Sequence, residues 1–101
     1  MEFEWDEAKC RENRRKHGLD FRDASKVFQG VTITAEDDRQ DYGEKRLVTL
    51  GRLEDIVVVM VHSLRGDKNR IISMRKAKAK ERKHYEEKIL LRPGAAPENE
   101  G

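Results

Sequence analysis

Polar and apolar residues alternate from the start of the chain. Phe3 and Trp5 stand against Glu2 and Glu4, the period-two pattern of a short strand. Asp6 is placed as a helix N-cap and Gly18 as the stop after the last turn, which predicts a first helix over 6–17. Ala8 and Cys10 are its only apolar positions, while Lys9, Asn13 and Lys16 stack at i, i+4 and i+7, so it docks by a narrow stripe. Asp20 caps a shorter helix in which Phe21, Ala24, Ser25 and Phe28 recur at helical spacing, and Gly30 ends it. Residues 31–35 alternate as a strand, 37–43 form a polar loop, and 46–51 alternate again. Residues 56–61 are five branched residues and a methionine in unbroken sequence, which predicts a central strand buried on both faces and ended by His62 and Ser63. A turn over 65–69 leads to a strand at 70–74. A last helix over 76–90 carries a thin apolar stripe of Ala77, Tyr85 and Ile89.

Short turns between the later strands favour an antiparallel meander. The expected architecture is an α+β domain: a short N-terminal strand, two helices, a meander of about four strands and a C-terminal helix. The helices are expected on one face, with the other open to water or to a partner. Residues 1–91 form one domain, and 92–101 read as a disordered tail.

Composition narrows the function classes. No twenty-residue apolar run spans a membrane. The first residues, Met-Glu-Phe-Glu-Trp-Asp, lack the basic and apolar regions of a secretory signal. The single cysteine, Cys10, excludes an internal disulfide framework and fits a cytoplasmic setting. Lys and Arg total 22 against 20 Asp and Glu, so net charge carries no message and its distribution must. Acidic residues gather in the middle (Glu36, Asp37, Asp38, Asp41, Glu44, Glu54, Asp55). The stretch 65–83 is strongly basic, which points to an anionic partner.

Much familiar chemistry is missing. His17, His62 and His84 have no metal-ligand spacing, and no Gly-rich phosphate loop, nucleophile elbow or cofactor motif appears. Ser63 and Ser73 read as structural. What remains is a phosphate-handling set. RNA carries its own nucleophile, the 2′-hydroxyl. Metal-free cleavage then needs a base for that hydroxyl, cations for the crowded phosphorane and an acid for the leaving oxygen. Arg70 and Arg75 supply guanidinium charge. His17, Glu81 or Tyr85 moves protons. Lys9, Asn13, Lys16, Arg65 and Arg82 hold the RNA backbone. A strict period of two sets Arg70 and Arg75 on opposite faces of their strand. Ala77, Glu81, His84 and Tyr85 share one helix face. The competing readings are a solvated Lys/Arg-rich helix and a non-catalytic module that binds nucleic acid or a protein partner.

The ordered set of residues resembles one family. Phe3 to Lys9 (F-E-W-D-E-A-K), Asn13, Lys16-His17-Gly18, Phe21, Ala24 and Val27-Phe28 are similar to the opening of the BrnT toxins. Asp41-Tyr42-Gly43-Glu44, Arg46 and Gly51 follow, and then Arg70 to Arg75 (R-I-I-S-M-R), Lys76-Ala77, Glu81-Arg82 and Tyr85-Glu86. At the turn, His62-Ser63-Leu64-Arg65 stands where that family more often has a Tyr-Thr-acidic-Arg run. The resemblance implies a RelE-like fold and an endoribonuclease toxin of a bacterial type II toxin–antitoxin system that arrests translation. It also implies a DNA-binding antitoxin of the BrnA kind, through which alone the complex reaches operator DNA.

Overall fold

The structure, a computed structural model, describes residues 2–39 and 41–91. The tail expected at 92–101 lies outside the described residues. The elements run β1 (Glu2–Glu4), α1 (Glu7–His17), a 3-10 turn (Phe21–Asp23), α2 (Ala24–Gln29), β2 (Thr32–Asp37), β3 (Arg46–Leu53), β4 (Ile56–Arg65), β5 (Lys68–Lys76) and α3 (Ala79–Leu91). The α+β class holds, and β2 to β5 form the antiparallel meander. The sheet is nevertheless mixed and five-stranded, in the order β1-β5-β4-β3-β2, because β1 joins the edge of β5 in parallel.

Local chemistry sets the helix ends. Asp6 accepts from the Lys9 backbone N–H at 3.1 Å, and Gly18 takes the left-handed conformation (φ 71°) that closes α1. Asp20 caps the 3-10 turn through the Arg22 N–H. Gly51 is needed for close approach, since a Cβ there would run into the Val27 side chain of α2.

The main core lies between the sheet and the α1–α2 layer, and Phe21, Val27, Val58, Met60, Ile71, Met74 and Cys10 fill it. Phe3 packs beside Phe28, and Trp5 meets Phe21 edge-on. The same layer holds a buried polar chain. Thr34 bonds Thr49 at 2.7 Å, Thr49 bonds His62 Nε2 at 2.6 Å, and His62 Nδ1 bonds Asn69 at 2.7 Å. Burial pushes the His62 pKa down. His62 and Ser63 therefore do not end β4, which continues to Arg65. A two-residue turn, with Gly66 at φ 64°, returns the chain.

The helices do not share one face. Val57 and Val59 point away from the core of Val58 and Met60, and Tyr85 of α3 is buried outside that core. The Tyr85 hydroxyl donates to the Val31 carbonyl at 2.7 Å, and α3 contacts β3. α3 thus covers the β2-start, β4-start end of the second face. The other end, around Val48, Val61 and Ser73, is half-buried.

Two features of β5 shape the site. β1 pairs only with Lys68 to Arg70, so the edge beyond lacks a strand neighbour. Asn13 of α1 takes that place: its amide donates to Met74 O (2.9 Å) and Leu19 O (3.1 Å) and accepts from Met74 N (3.1 Å). The second feature is a register shift. Val61 opposes Ser73 and His62 opposes Ile71, so Ile72 is an extra residue, a β-bulge. The bulge inverts the alternation. Arg70 opposes Ser63 and Arg75 opposes Val59, so both arginines lie on the second face, not on opposite faces.

Candidate active site

A cleft of about 410 Å³ opens on the second face beside α3. Its floor is Val48, Val59, Val61 and Ser73. Its walls are the ends of β2 and β5 and the start of α3. Arg75 stands on one wall. Its guanidinium grips Glu81 through two bonds, at 2.9 and 2.8 Å, and also reaches the Lys76 carbonyl. Glu81 is the third residue of α3 and reaches back to the Lys78 N–H at 2.7 Å, one half of a capping box. Held by Arg75 first and by that N–H, its carboxyl is pulled from 4.5 down to about 2.

Arg39 stands on the opposite wall, gripping Asp37 at 2.8 and 2.9 Å. Tyr42 also donates to Asp37, at 3.1 Å. Bonded chiefly by Arg39, the Asp37 carboxyl is likewise pulled down to about 2. Arg39 lies close enough to Arg75 for the two like charges to oppose one another. Two guanidiniums, each braced by its own carboxylate, therefore face one cleft.

A smaller groove of about 210 Å³ runs along α1 and the free edge of β5, lined by Lys9, Glu12, Asn13, Lys16, His17, Ile72 and Ser73. Lys9, Lys16 and His17 are exposed there. Ser73 lines both spaces, so His17 and Arg75 flank the same stretch of β5.

The ten residues singled out in the sequence do not converge on one surface. Arg75 and Glu81 meet in the cleft, and Lys9, Lys16 and His17 line the groove. Arg70 sits nearer the β4–β5 turn, half-buried, with one nitrogen 3.3 Å from Glu4. Arg65 is exposed at that turn and pairs with Glu44 at 3.2 Å. Arg82 lies at the opposite end of the sheet, near Asp55 and Ile56. Two placements correct the expectation. Asn13 is buried and its amide is spent on backbone, so it does not offer that amide to RNA. Tyr85 is 1% exposed and bonded to Val31, so its hydroxyl lines neither space. His84, expected beside them, is exposed.

Arg39 and Arg46 escaped the sequence reading. Arg39 lies among acidic residues in the polar loop, where charges read as solvated, and Arg46 opens an alternating strand, where the pattern gives it no role beyond a polar position. The available signal was the spacing: Asp37 and Arg39 two apart, and Asp41-Tyr42-Gly43-Glu44 just before Arg46. The structure uses that motif to aim Arg46, whose guanidinium lies 4.2 Å from the Tyr42 ring centre and 3.6 Å from Glu44.

Among the described residues no group of three or more His, Cys, Asp or Glu side chains is arranged to hold a metal ion, and no helix is long and apolar enough to cross a membrane. No curated protein matches the chain. The family model described as "Ribonuclease toxin, BrnT, of type II toxin-antitoxin system" matches residues 5–81. That span takes in the braced pair of arginines, the groove along α1 and every sheet strand except β1. The chain belongs to the BrnT family of ribonuclease toxins of type II toxin–antitoxin systems.

Proposed function

We propose that this toxin cleaves RNA without a metal ion, using the RNA's own 2′-hydroxyl as nucleophile. The observation that carries the reading is the pair of braced guanidiniums, Arg39 and Arg75, facing one cleft. The 2′ oxygen attacks the adjacent phosphorus as its proton passes to a base. A pentavalent phosphorane forms, and the 5′ oxygen leaves with a proton. The products are a 2′,3′-cyclic phosphate and a 5′-hydroxyl end. Arg75 and Arg39 neutralise the charge that builds on the phosphorane. Their forks are held in place beforehand, so little reorganisation accompanies the step.

Glu81 is a positioning residue in this scheme. With its carboxyl at about 2 it is ionised near neutral pH, which suits an orienting partner and not a proton donor. His17, exposed beside Ser73, is the side chain placed to exchange protons with a strand lying over β5. Lys9 and Lys16 line the approach and contact backbone phosphates. Arg65 and Arg82, at the two ends of the sheet, extend this contact along a longer strand.

The α+β arrangement is read as RelE-like. A type II system pairs the toxin with an antitoxin. Here that partner is read as a DNA-binding, BrnA-like protein that covers the cleft and carries the complex to operator DNA, in the cytoplasm. Cleavage of RNA arrests translation until the antitoxin returns.

The test is cleavage in excess EDTA. Purified toxin freed of its partner is mixed with a long single-stranded RNA, and the 3′ ends are identified. Fragments ending in 2′,3′-cyclic phosphate, absent with Arg75→Ala, are expected. Intact RNA from folded protein, with and without added ribosomes, would overturn catalysis and leave a binding module.

A further inference from the structure

A single row of residues crosses the second face of the sheet from edge to edge. Asp37 of β2 opposes Arg46 of β3, Arg46 opposes Ser63 of β4, Ser63 opposes Arg70 of β5, and Arg70 pairs with Glu4 of β1. Directly opposed residues point to the same side of a sheet, with Cβ atoms roughly 5 Å apart. Ser63 therefore lies between two arginines. It has 0% exposure, and among the described residues its Oγ has no hydrogen-bond partner. Among the described residues the neighbouring Arg46 Nε is also buried without a hydrogen bond, the Glu44 carboxylate standing 3.6 Å away. Each such orphan costs about 1–3 kcal/mol, and two side by side call for a cause.

The row differs from the cleft in how its cations are held. Arg39 and Arg75 are gripped bidentately. Arg46 has only a stacked tyrosine and a carboxylate 3.6 Å from Nε. Arg70 spends one nitrogen on Glu4 at 3.3 Å. A guanidinium has five N–H donors, so both forks keep donors to spare. We propose that Arg46, Ser63 and Arg70 form a second phosphate subsite, which holds another phosphodiester further along the same RNA strand. The inference rests on the ribonuclease reading and gives it a direction. Ser63 lies four residues along β4 from the residue opposite Arg75, roughly 13 Å. The RNA therefore runs along β4 and β5 from the cleft toward the hairpin turn. The half-exposed arms of Arg46 and Arg70 part to admit the phosphate, whose oxygens accept from the Ser63 hydroxyl and from Arg46 Nε. Glu4, Glu44 and Asp37 stand around the row, so binding there depends on directed hydrogen bonds more than on net charge.

The test separates binding from cleavage by using a 2′-O-methyl RNA oligonucleotide, which has no free 2′-hydroxyl. Its Kd is measured for the wild-type toxin and for Ser63→Ala, Arg46→Gln and Arg70→Gln, with the Arg46 Nε–H followed by NMR. Ser63→Ala is expected to weaken binding about 5- to 10-fold while keeping or raising Tm, because it deletes an orphaned hydroxyl. Each arginine variant is expected to lower the salt slope of binding by about 0.7. The Arg46 Nε–H signal should move on titration in the wild type. Wild-type affinity in Ser63→Ala together with an unmoved signal would overturn the subsite, even where RNA is cleaved normally. A toxin that fails to cleave RNA, yet binds the oligonucleotide and loses affinity in Ser63→Ala, would keep the subsite and reject the catalytic reading.

Discussion

Replacing Asn13 by Ala separates two roles that the sequence alone confuses. A polar residue on the face shared with Lys9 and Lys16 looks like an RNA contact. In the structure it substitutes for a missing strand. Its side chain makes three buried hydrogen bonds, to Leu19 O, Met74 O and Met74 N. Truncation removes all three and leaves two carbonyls and an N–H on a buried edge. A net loss of about 1 kcal/mol per bond, plus some desolvation of the abandoned partners, gives a total near 3–5 kcal/mol. Small domains hold about 5–15 kcal/mol in all, so much of the stability goes. At about 4–8 °C per kcal/mol, Tm falls by at least about 12 °C. Asn13→Asp should do no better, because a carboxylate cannot donate to the two carbonyls and would be buried against them. The assay is urea unfolding followed by far-UV circular dichroism, with RNA affinity measured on the fraction that remains folded. A loss under about 1 kcal/mol accompanied by a large drop in RNA affinity would refute the clamp and restore Asn13 as a ligand-facing residue.

Other expectations follow from the same geometry. Arg75→Ala should lower single-turnover cleavage by about 10²-fold or more, while loss of its part-exposed pair with Glu81 costs at most about 1 kcal/mol of stability; a loss of rate below threefold would make Arg75 structural. Tyr85→Phe should destabilise by about 1–2 kcal/mol through the abandoned Val31 carbonyl, with cleavage intact, and a cleavage defect at unchanged stability would return the phenol to the chemistry. Acid should destabilise the fold in two windows. Burial holds the His62 pKa below 6.5, so its contribution is present above that value and fades as pH falls below it. Glu81, from 4.5, and Asp37, from 3.8, are both depressed to about 2, so their contributions are complete above those ordinary values and are lost as pH falls through about 2. Stability measured from pH 8 to pH 2 should fall within each window, and Glu81→Gln should flatten only the lower one; a rise in stability on acidification would contradict both assignments.

The legible parts of this chain are those where one local rule acts alone. Asp6, Gly18 and Asp20 announce helix ends because capping is a matter of a few adjacent groups. The alternations in β2 and β3 and the apolar run in β4 announce strands because burial repeats with the backbone period. The illegible parts are those where a distant segment overrides the period. β4 passes through His62 and Ser63 because Thr49 and Asn69, on two other strands, satisfy the imidazole, and Thr34 on a third bonds Thr49 in turn. β1 joins β5 by a parallel pairing across more than sixty residues, which no local pattern can encode. α3 crosses to the second face because Val57, Val59 and Tyr85 need a second, smaller core there.

The site turns on the least legible feature of all. Counting by twos from Arg70 places Arg75 on the wrong face, and the sequence around Ile71-Ile72-Ser73 gives no sign of the extra residue. The bulge at Ile72 arises from register with β4, and one inserted residue inverts every side chain beyond it. Without it, Arg75 would point into the layer of Met60 and Phe21, where an unpaired guanidinium is untenable, and Met74 would point to water. With it, Met74 enters the core, Asn13 locks its backbone, and Arg75 emerges beside Glu81 on the same face as Arg70. The bulge therefore couples core to site: the displacement that buries Met74 is the one that brings Arg75 onto the same face as Arg70.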